Sequence, residues 1–353
     1  MIRIGIVGCN YGRLIHLPAF RLDTRCEVVA LAGTDAARTA ELARAAAIPH
    51  AFGNWVDLVE HPDIDAVTIA TPPALQPEIA LRALALNKPV FAEKPMAADL
   101  AGAEAMARAA ADSRRTTMLD FNFSAILCWR KAKALLDQGA IGRLRHVAVN
   151  WNVENESTRK RLAGWKTEGD NGGGALGNFV SHSFHYLEWL CGPISGLSAR
   201  LSGLPDAPAM ETHAGISLAF RSGAAGSLTM SCASYLGSGH RLEFYGEDGS
   251  LTLINATADY MRGFELRLAR RPEATFTLVD VDDPVDRQFP ADGRIAPVSR
   301  LAADFLDAIA DSRPAWPGFA EGHRVQTLLS TARRAHKDGC WLDIESDMAE
   351  KTA

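Results

Sequence analysis

The chain has 353 residues, 47% hydrophobic and 22% charged, which is ordinary for a globular protein and enough for two domains. A net charge of -5 without a local basic cluster excludes the electrostatic footprint of a nucleic-acid binder. No apolar run approaches the ~20 residues of a membrane span, so a membrane partner is not expected either.

The chain opens on the strand-like MIRIGIVG, with no signal peptide expected ahead of it. Six cysteines are scattered without a C-x-x-C pair, which suits reduced thiols in the cytoplasm better than a disulfide framework. The first third then alternates strand and helix. Apolar runs predict strands over 2–7, 28–32, 65–70 and 89–92, and helices over 36–47, 78–86 and 100–111 lie between and after them. Asp35 is placed to cap the first of these helices. Strand and helix at this spacing give parallel βαβ units with right-handed crossovers. The reading is an α/β fold: a doubly wound parallel sheet of Rossmann type over residues 1–121.

Beyond residue 122 the pattern changes. A helix is predicted over 129–138, followed by period-two runs at 145–151, 213–220, 226–235, 241–246, 250–255 and 264–270. Turns such as Gly246-Glu247-Asp248-Gly249 join them into a large, mainly antiparallel sheet. A helix over 179–190 is inserted, helices over 301–310 and 325–336 close the chain, and 272–297 reads as a long polar surface loop. Residues 122–353 are assigned to this second, α+β domain.

Directly after the first strand comes a variant of the dinucleotide fingerprint G-x-G-x-x-G. Gly8 is in place, Asn10 stands at the second glycine, Arg13 at the third, and a displaced Gly12 lies beside it. Such a turn offers backbone N–H groups and a helix N-terminus to a pyrophosphate; an ordinary tight βα turn also uses glycine. Asn10 tolerates positive φ, and Arg13 is either a phosphate neighbour or solvated. The second strand ends in Gly33-Thr34 where an acid would bind the ribose 2′-hydroxyl, and Arg38 follows one turn into the helix. That combination favours NADP over NAD, with a solvent-facing Arg38 as the alternative.

Lys94 follows the fourth strand at its carboxyl end, where ligands of such sheets bind. It could polarise a substrate oxygen, or be an ordinary surface lysine. Asn178, His182 and His185 share one helix face. His182 could carry the proton that accompanies hydride transfer, or be a buried structural histidine. A metal reading of His182-Ser183-Phe184-His185 lacks a third ligand, so no metal is expected.

Four stretches together resemble the Gfo/Idh/MocA oxidoreductase family: HLPAF at 16–20, DIDAVTIATPPALQPEIALRALALNKPVFAEKPMA at 63–97, GGGALGNFVSHSFHYLEWLCG at 172–192, and EFYGEDGSLTL at 243–253. The resemblance implies an NAD(P)-binding Rossmann domain, a C-terminal domain with an open-faced sheet, and a substrate site between them. It also implies homodimers or homotetramers packed through that sheet. It implies that Gly8, Asn10, Tyr11, Gly12, Arg13, Thr34, Arg38, Thr71, Pro72, Glu93 and Lys94 attend the cofactor. Lys94, His182, Asn178 and His185 become the catalytic candidates, and a cis Lys94–Pro95 bond is expected. The sequence departs from the family where Asn178 and His185 replace aspartates and where Thr71-Pro72-Pro73-Ala74-Leu75-Gln76 replaces T-P-N-x-x-H. The expected activity is hydride transfer to or from a hydroxyl or carbonyl of a sugar, polyol or related small molecule. Imine or enone reduction, NAD-assisted glycoside cleavage, and a non-catalytic cofactor sensor are the alternatives.

Overall fold

The structure, a computed structural model, describes residues 1–344 except 163, 169–170, 206 and 258. The chain forms two compact units. The first begins with β1 (Ile2–Val7), a helical segment Gly12–His16 that runs into α1 (Leu17–Phe20), β2 (Cys26–Ala32), α2 (Ala36–Ala45), β3 (His50–Phe52) and α3 (Trp55–Glu60). It continues through β4 (Ala66–Ile69), α4 (Gln76–Ala85), β5 (Val90–Ala92), α5 (Leu100–Ser113) and β6 (Thr117–Leu119). The strands form a six-stranded sheet in the order β3-β2-β1-β4-β5-β6, every pair parallel. Helix starts follow the capping chemistry of the sequence: Asp35, Asn54 and Asp99 each accept a first-turn N–H, of Arg38, Asp57 and Gly102.

The second unit contains α6 (Leu127–Asp137), β7 (Leu144–Asn152), α7 (Glu156–Arg159), a π-helical turn Leu176–Val180 leading into α8 (Ser181–Cys191), and β8 (Ile194–Leu204). It then adds β9 (Ala207–Phe220), β10 (Ala225–Ser231), β11 (Gly239–Gly246), β12 (Gly249–Asn255), β13 (Glu265–Arg270) and β14 (Thr277–Val279). After these come α9 (Ile295–Ala310), α10 (Phe319–Asp338) and β15 (Leu342–Asp343). The nine-stranded sheet runs β14-β13-β12-β11-β7-β10-β9-β8-β15, antiparallel except where β10 lies parallel to β7. One face is apolar: Val147, Val149 and Trp151 of β7 are buried, alternating with half-buried His146, Ala148 and Asn150.

Helix α9 is where the sequence division differs from the structure. Residues Asp283–Gln326 return to the first unit rather than staying with the second. The reason is an apolar stripe at helical spacing: Ile295, Val298, Leu301, Ala302, Phe305 and Leu306 join the core cluster that holds Ile4, Phe20 and Phe91. The Phe305 ring meets Phe91 at 5.8 Å and Phe20 at 6.4 Å, edge to face. Burying each such side chain contributes roughly 1.5–3 kcal/mol. The loop predicted over 272–297 also contains the short β14 and the first turn of α9.

No helix among the described residues is long and apolar enough to cross a membrane. All six cysteines are free thiols, with Cys26, Cys128 and Cys232 buried.

Candidate functional site

The carboxyl edge of the six-stranded sheet is an ordered row of backbone. Beyond the strand ends the ladder continues, with Gly8 donating to Ala32 O, Ala70 to Val7 O, Glu93 to Ile69 O and Asp120 to Ala92 O. The strand order reverses between β1 and β4, the switch point at which open parallel sheets bind ligands. Gly8 sits there at φ +123°, and a Cβ on it would lie 2.4 Å from the carbonyl oxygen of Ala70. Only glycine fits both the torsion and the approach.

Gly12 has a different function. A Cβ there would meet Ile6 Cγ2 at 2.6 Å, so this glycine lets the first helix lie close against β1. That is the packing task of the fingerprint's last glycine, moved by one residue. Asn10 does not use positive φ, contrary to the sequence expectation; its carbonyl accepts from Leu14 N and opens the helix. Arg13 turns back, its Nε 3.3 Å from Cys9 O. The first-turn N–H groups of this helix stand outside the intrahelical ladder. Beside Gly8, whose own N–H is committed to Ala32 O, they form the donor set that a pyrophosphate requires.

At the end of β2, Thr34 and Arg38 are both exposed. The carboxylate of Asp35 is spent on the helix, accepting from Arg38 N at 3.0 Å. No carboxylate from Gly33-Thr34 occupies the position of the usual ribose-binding acid.

At the end of β5, Lys94 is half-buried and the Lys94–Pro95 peptide is cis. Buried Gln76, which replaces the family histidine, holds the turn by donating from Nε2 to Pro95 O at 2.9 Å. Thr71 is half-buried and Pro72 exposed at the end of β4.

The carboxylate of Glu93 points into the unit, where Oε1 lies 2.9 Å from Nε2 of the fully buried His16. Asp120, also fully buried, accepts from the Tyr11 hydroxyl at 3.2 Å, and its carboxyl and that of Glu93 offer oxygens within 4.8 Å of each other. Glu93 and the Tyr11 hydroxyl are therefore engaged in this internal network. Burial lowers His16 to about 4, so the contact is a hydrogen bond from a neutral imidazole and not an ion pair. Burial, and then the adjacent Glu93, raises Asp120 well above the carboxylate range. His16, Asp120 and Gln76 were not singled out from sequence.

In the second unit, α8 and its leading turn carry the other candidates. Asn178 donates from Nδ2 to Lys166 O at 2.8 Å and to Gly174 O at 3.1 Å, tying the glycine run to the loop before it. The amide protons of this catalytic candidate thus serve the backbone. The approach is close: a Cβ on Gly173 would fall 1.8 Å from Trp165 O. His182 is buried, its ring 6.4 Å from that of Trp151. His185 is buried too, and burial lowers it to about 3. Burial thus favours the neutral imidazole at this catalytic candidate.

Beneath these residues lies a polar chain. Ser183 Oγ donates to Phe179 O, Tyr186 OH donates to Ser183 Oγ at 2.9 Å, and His240 Nε2 lies 2.9 Å from the same Tyr186 oxygen. With both hydroxyl protons committed, His240 must donate from Nε2. Its ring stacks on Trp151 at 4.1 Å and 6°.

Among the described residues one group has metal-ligand spacing, and it is not the α8 histidines. The donor atoms of His16, Glu93 and Asp120 lie within 4.8 Å of one another. A cation there would have to displace the His16–Glu93 hydrogen bond.

A parallel sheet with a glycine turn at its switch point, joined to a large antiparallel sheet, defines the class of two-domain nucleotide-dependent oxidoreductases. Comparison with known sequences agrees: the family described as "Oxidoreductase family, NAD-binding Rossmann fold" matches residues 2–121, and the "GFO/IDH/MocA C-terminal domain" matches 129–252. The chain belongs to the Gfo/Idh/MocA family of oxidoreductases. An uncharacterized oxidoreductase of Synechocystis is 30% identical over 97% of this chain and 96% of its own length. Levoglucosan dehydrogenase of Pseudarthrobacter phenanthrenivorans is 26% identical over 93% and 91%. Among solved structures, levoglucosan dehydrogenase in complex with NADH and levoglucosan superposes with a TM-score of 0.86 at 23% identity, covering 98% of this chain and 100% of that one, a likeness of fold. An oxidoreductase domain protein from Kribbella flavida gives the same score at 25% identity and the same coverage.

Proposed function

We propose that the chain is an NAD(P)-dependent dehydrogenase or reductase that transfers hydride to or from the carbon of a hydroxyl or carbonyl in a sugar, polyol or related small molecule. The observation that carries this reading is the switch point, where Gly8 at φ +123° stands against Ala70 O beside the start of a helix, the kind of terminus that binds phosphate. The named sugar complexes of the levoglucosan dehydrogenase structures support the substrate class.

The nicotinamide supplies or accepts the hydride when bound. The first-turn amides from Tyr11 to Arg13 would hold its pyrophosphate, Gly8 would let it approach the backbone, and Thr71-Pro72 would support the nicotinamide side. Lys94 donates a hydrogen bond to the reacting oxygen and stabilises its developing charge. His182 takes the hydroxyl proton in oxidation and returns it in reduction. Asn178 acts as a structural tie, holding the segment around Lys166.

Thr34 and Arg38 would hold the ribose end of the cofactor. With no acid to repel a 2′-phosphate, and an exposed guanidinium one turn away, NADP is accepted alongside or in preference to NAD. The unit built on the nine-stranded sheet binds substrate and pairs the chain into dimers or tetramers, which sedimentation would test.

The direct experiment is turnover on a panel of sugars and polyols, with NAD and NADP each supplied in turn. Stoichiometric formation of reduced nicotinamide with a sugar or polyol is expected. Cofactor binding without turnover across the panel would contradict the reading, and tighter NADH than NADPH binding would remove the NADP preference.

A further inference from the structure

Two carboxyl groups, Glu93 and Asp120, are buried side by side at the ends of adjacent parallel strands β5 and β6. An oxygen of each lies within 4.8 Å of the other and of a His16 ring nitrogen; two carboxylates offer only acceptors, so a bond between them requires a proton. His16 does not deliver it as an imidazolium. Its Nε2 donates to Glu93 Oε1 at 2.9 Å, and its Nδ1 has no hydrogen-bond partner among the described residues, which fits a bare lone pair. Glu93 is thus the acceptor of the set, and the proton belongs to Asp120. The second oxygen of Asp120, Oδ1, likewise has no partner, as suits the carbonyl oxygen of a neutral acid better than half of a carboxylate.

We propose that Asp120 is a protonated positioning residue: its acid donates to Glu93 and completes a buried His16–Glu93–Asp120 network that fixes Lys94 and the phosphate-loop helix relative to each other.

The connectivity supports this. Tyr11 and His16 belong to the loop helix, Glu93 is the immediate chain neighbour of Lys94, and Asp120 closes the set from the next strand. The rings of Tyr11 and His16 meet edge to face at 5.5 Å, and His16 meets Phe91 at 5.2 Å. The nearby cations are Lys94 and Arg294; the latter lies 5.3 Å over the Tyr11 ring and is paired with Asp292. Desolvation lowers His16 and raises Asp120, the directions that agree with the geometry. A network with one acceptor and two neutral donors places one negative charge behind Lys94 instead of two. Two would pull the ammonium inward, away from a substrate oxygen.

This inference rests on the reading of Lys94 as the group that meets the substrate, and its test has an arm independent of turnover. The infrared difference between wild type and Asp120→Asn at neutral pH should contain a protonated-carboxyl carbonyl band that the variant lacks. An absent band means an ionised Asp120 and overturns the proposal, whether or not the enzyme turns over. With activity in hand, Asp120→Ala should lower kcat roughly a hundredfold, the loss expected from about 1 Å of misplacement, with KM changed much less. Asp120→Asn, which keeps a donor toward Glu93, should recover most of that loss. If Asn is as poor as Ala, the carboxyl acts as a charge and the proposal fails. It also fails if the purified protein holds a stoichiometric metal that Asp120→Asn releases. Should wild type show no turnover on any substrate, the proposed function fails while the infrared result still decides the state of Asp120.

Discussion

Nε2 of His16 lies 2.9 Å from Oε1 of Glu93, 77 residues further along the chain, with both side chains inside the first unit. This bond ties the helix of the phosphate loop to the strand end that carries Lys94. Replacing His16 by Ala removes the donor and leaves a buried carboxylate short of a partner, which costs about 1–3 kcal/mol beyond the lost packing. Chemical denaturation of His16→Ala should show that loss, together with weaker cofactor binding. An unchanged midpoint would mean that the bond contributes nothing.

Three buried imidazoles set the acid side of stability. Burial lowers His16 to about 4 and both His185 and His240 to about 3. A depressed folded value means that the unfolded chain takes up the proton first, so stability is full above about 6.5 and falls as pH drops below it. Asp120 and Glu211, both raised by burial, work in the opposite sense: their contribution is present at low pH and is lost as pH rises. The three histidines make stability fall as pH drops below 6.5, and the two acids oppose that fall. Denaturant unfolding at a series of pH values measures it, and a flat profile would show these histidines to be solvated.

Gly8 allows no side chain. Alanine at φ +123° would be strained and would press its Cβ to 2.4 Å from Ala70 O. The β1 and β4 loops would have to part, which disrupts the pyrophosphate site. Gly8→Ala should lose at least tenfold in cofactor affinity and lower the melting temperature, both readable by calorimetry.

Asn178 stands where the family has an aspartate, and changing it back should not improve the protein. A carboxylate there would face the carbonyl oxygens of Lys166 and Gly174, now bonded at 2.8 and 3.1 Å, with no protons to offer them. Asn178→Asp should therefore lower stability by about 1–3 kcal/mol, without raising kcat. A gain in turnover would show that the amide merely substitutes for a missing catalytic acid.

Much of this was legible in the sequence, for identifiable reasons. The long apolar runs of β1, β2 and β4 and the alternation of β7 and of β9 to β13 were visible because each spans several periods of its pattern; β8 (Ile194–Leu204) was not predicted. Strands β3 and β6 have three residues each, His50–Phe52 and Thr117–Leu119, too few to display a period. The first turn of α9 was hidden by Pro297, which a helix start accommodates because its missing N–H would have no partner there. Gly8, Glu93, Lys94 and His182 stood out as parts of motifs. What Glu93 does was not readable, because its partners His16 and Asp120 meet it only through the strand order β1-β4-β5-β6. The same holds for Gln76, whose task depends on where Pro95 turns its carbonyl.

The central claim is that Lys94 meets the reacting oxygen of a substrate oxidised or reduced by a nicotinamide. The measurement that tests it most directly is steady-state turnover of wild type and Lys94→Ala on a sugar or polyol substrate, with cofactor dissociation constants determined in parallel. The account predicts a fall in kcat of at least a hundredfold with cofactor binding preserved. Retained turnover in Lys94→Ala would contradict it.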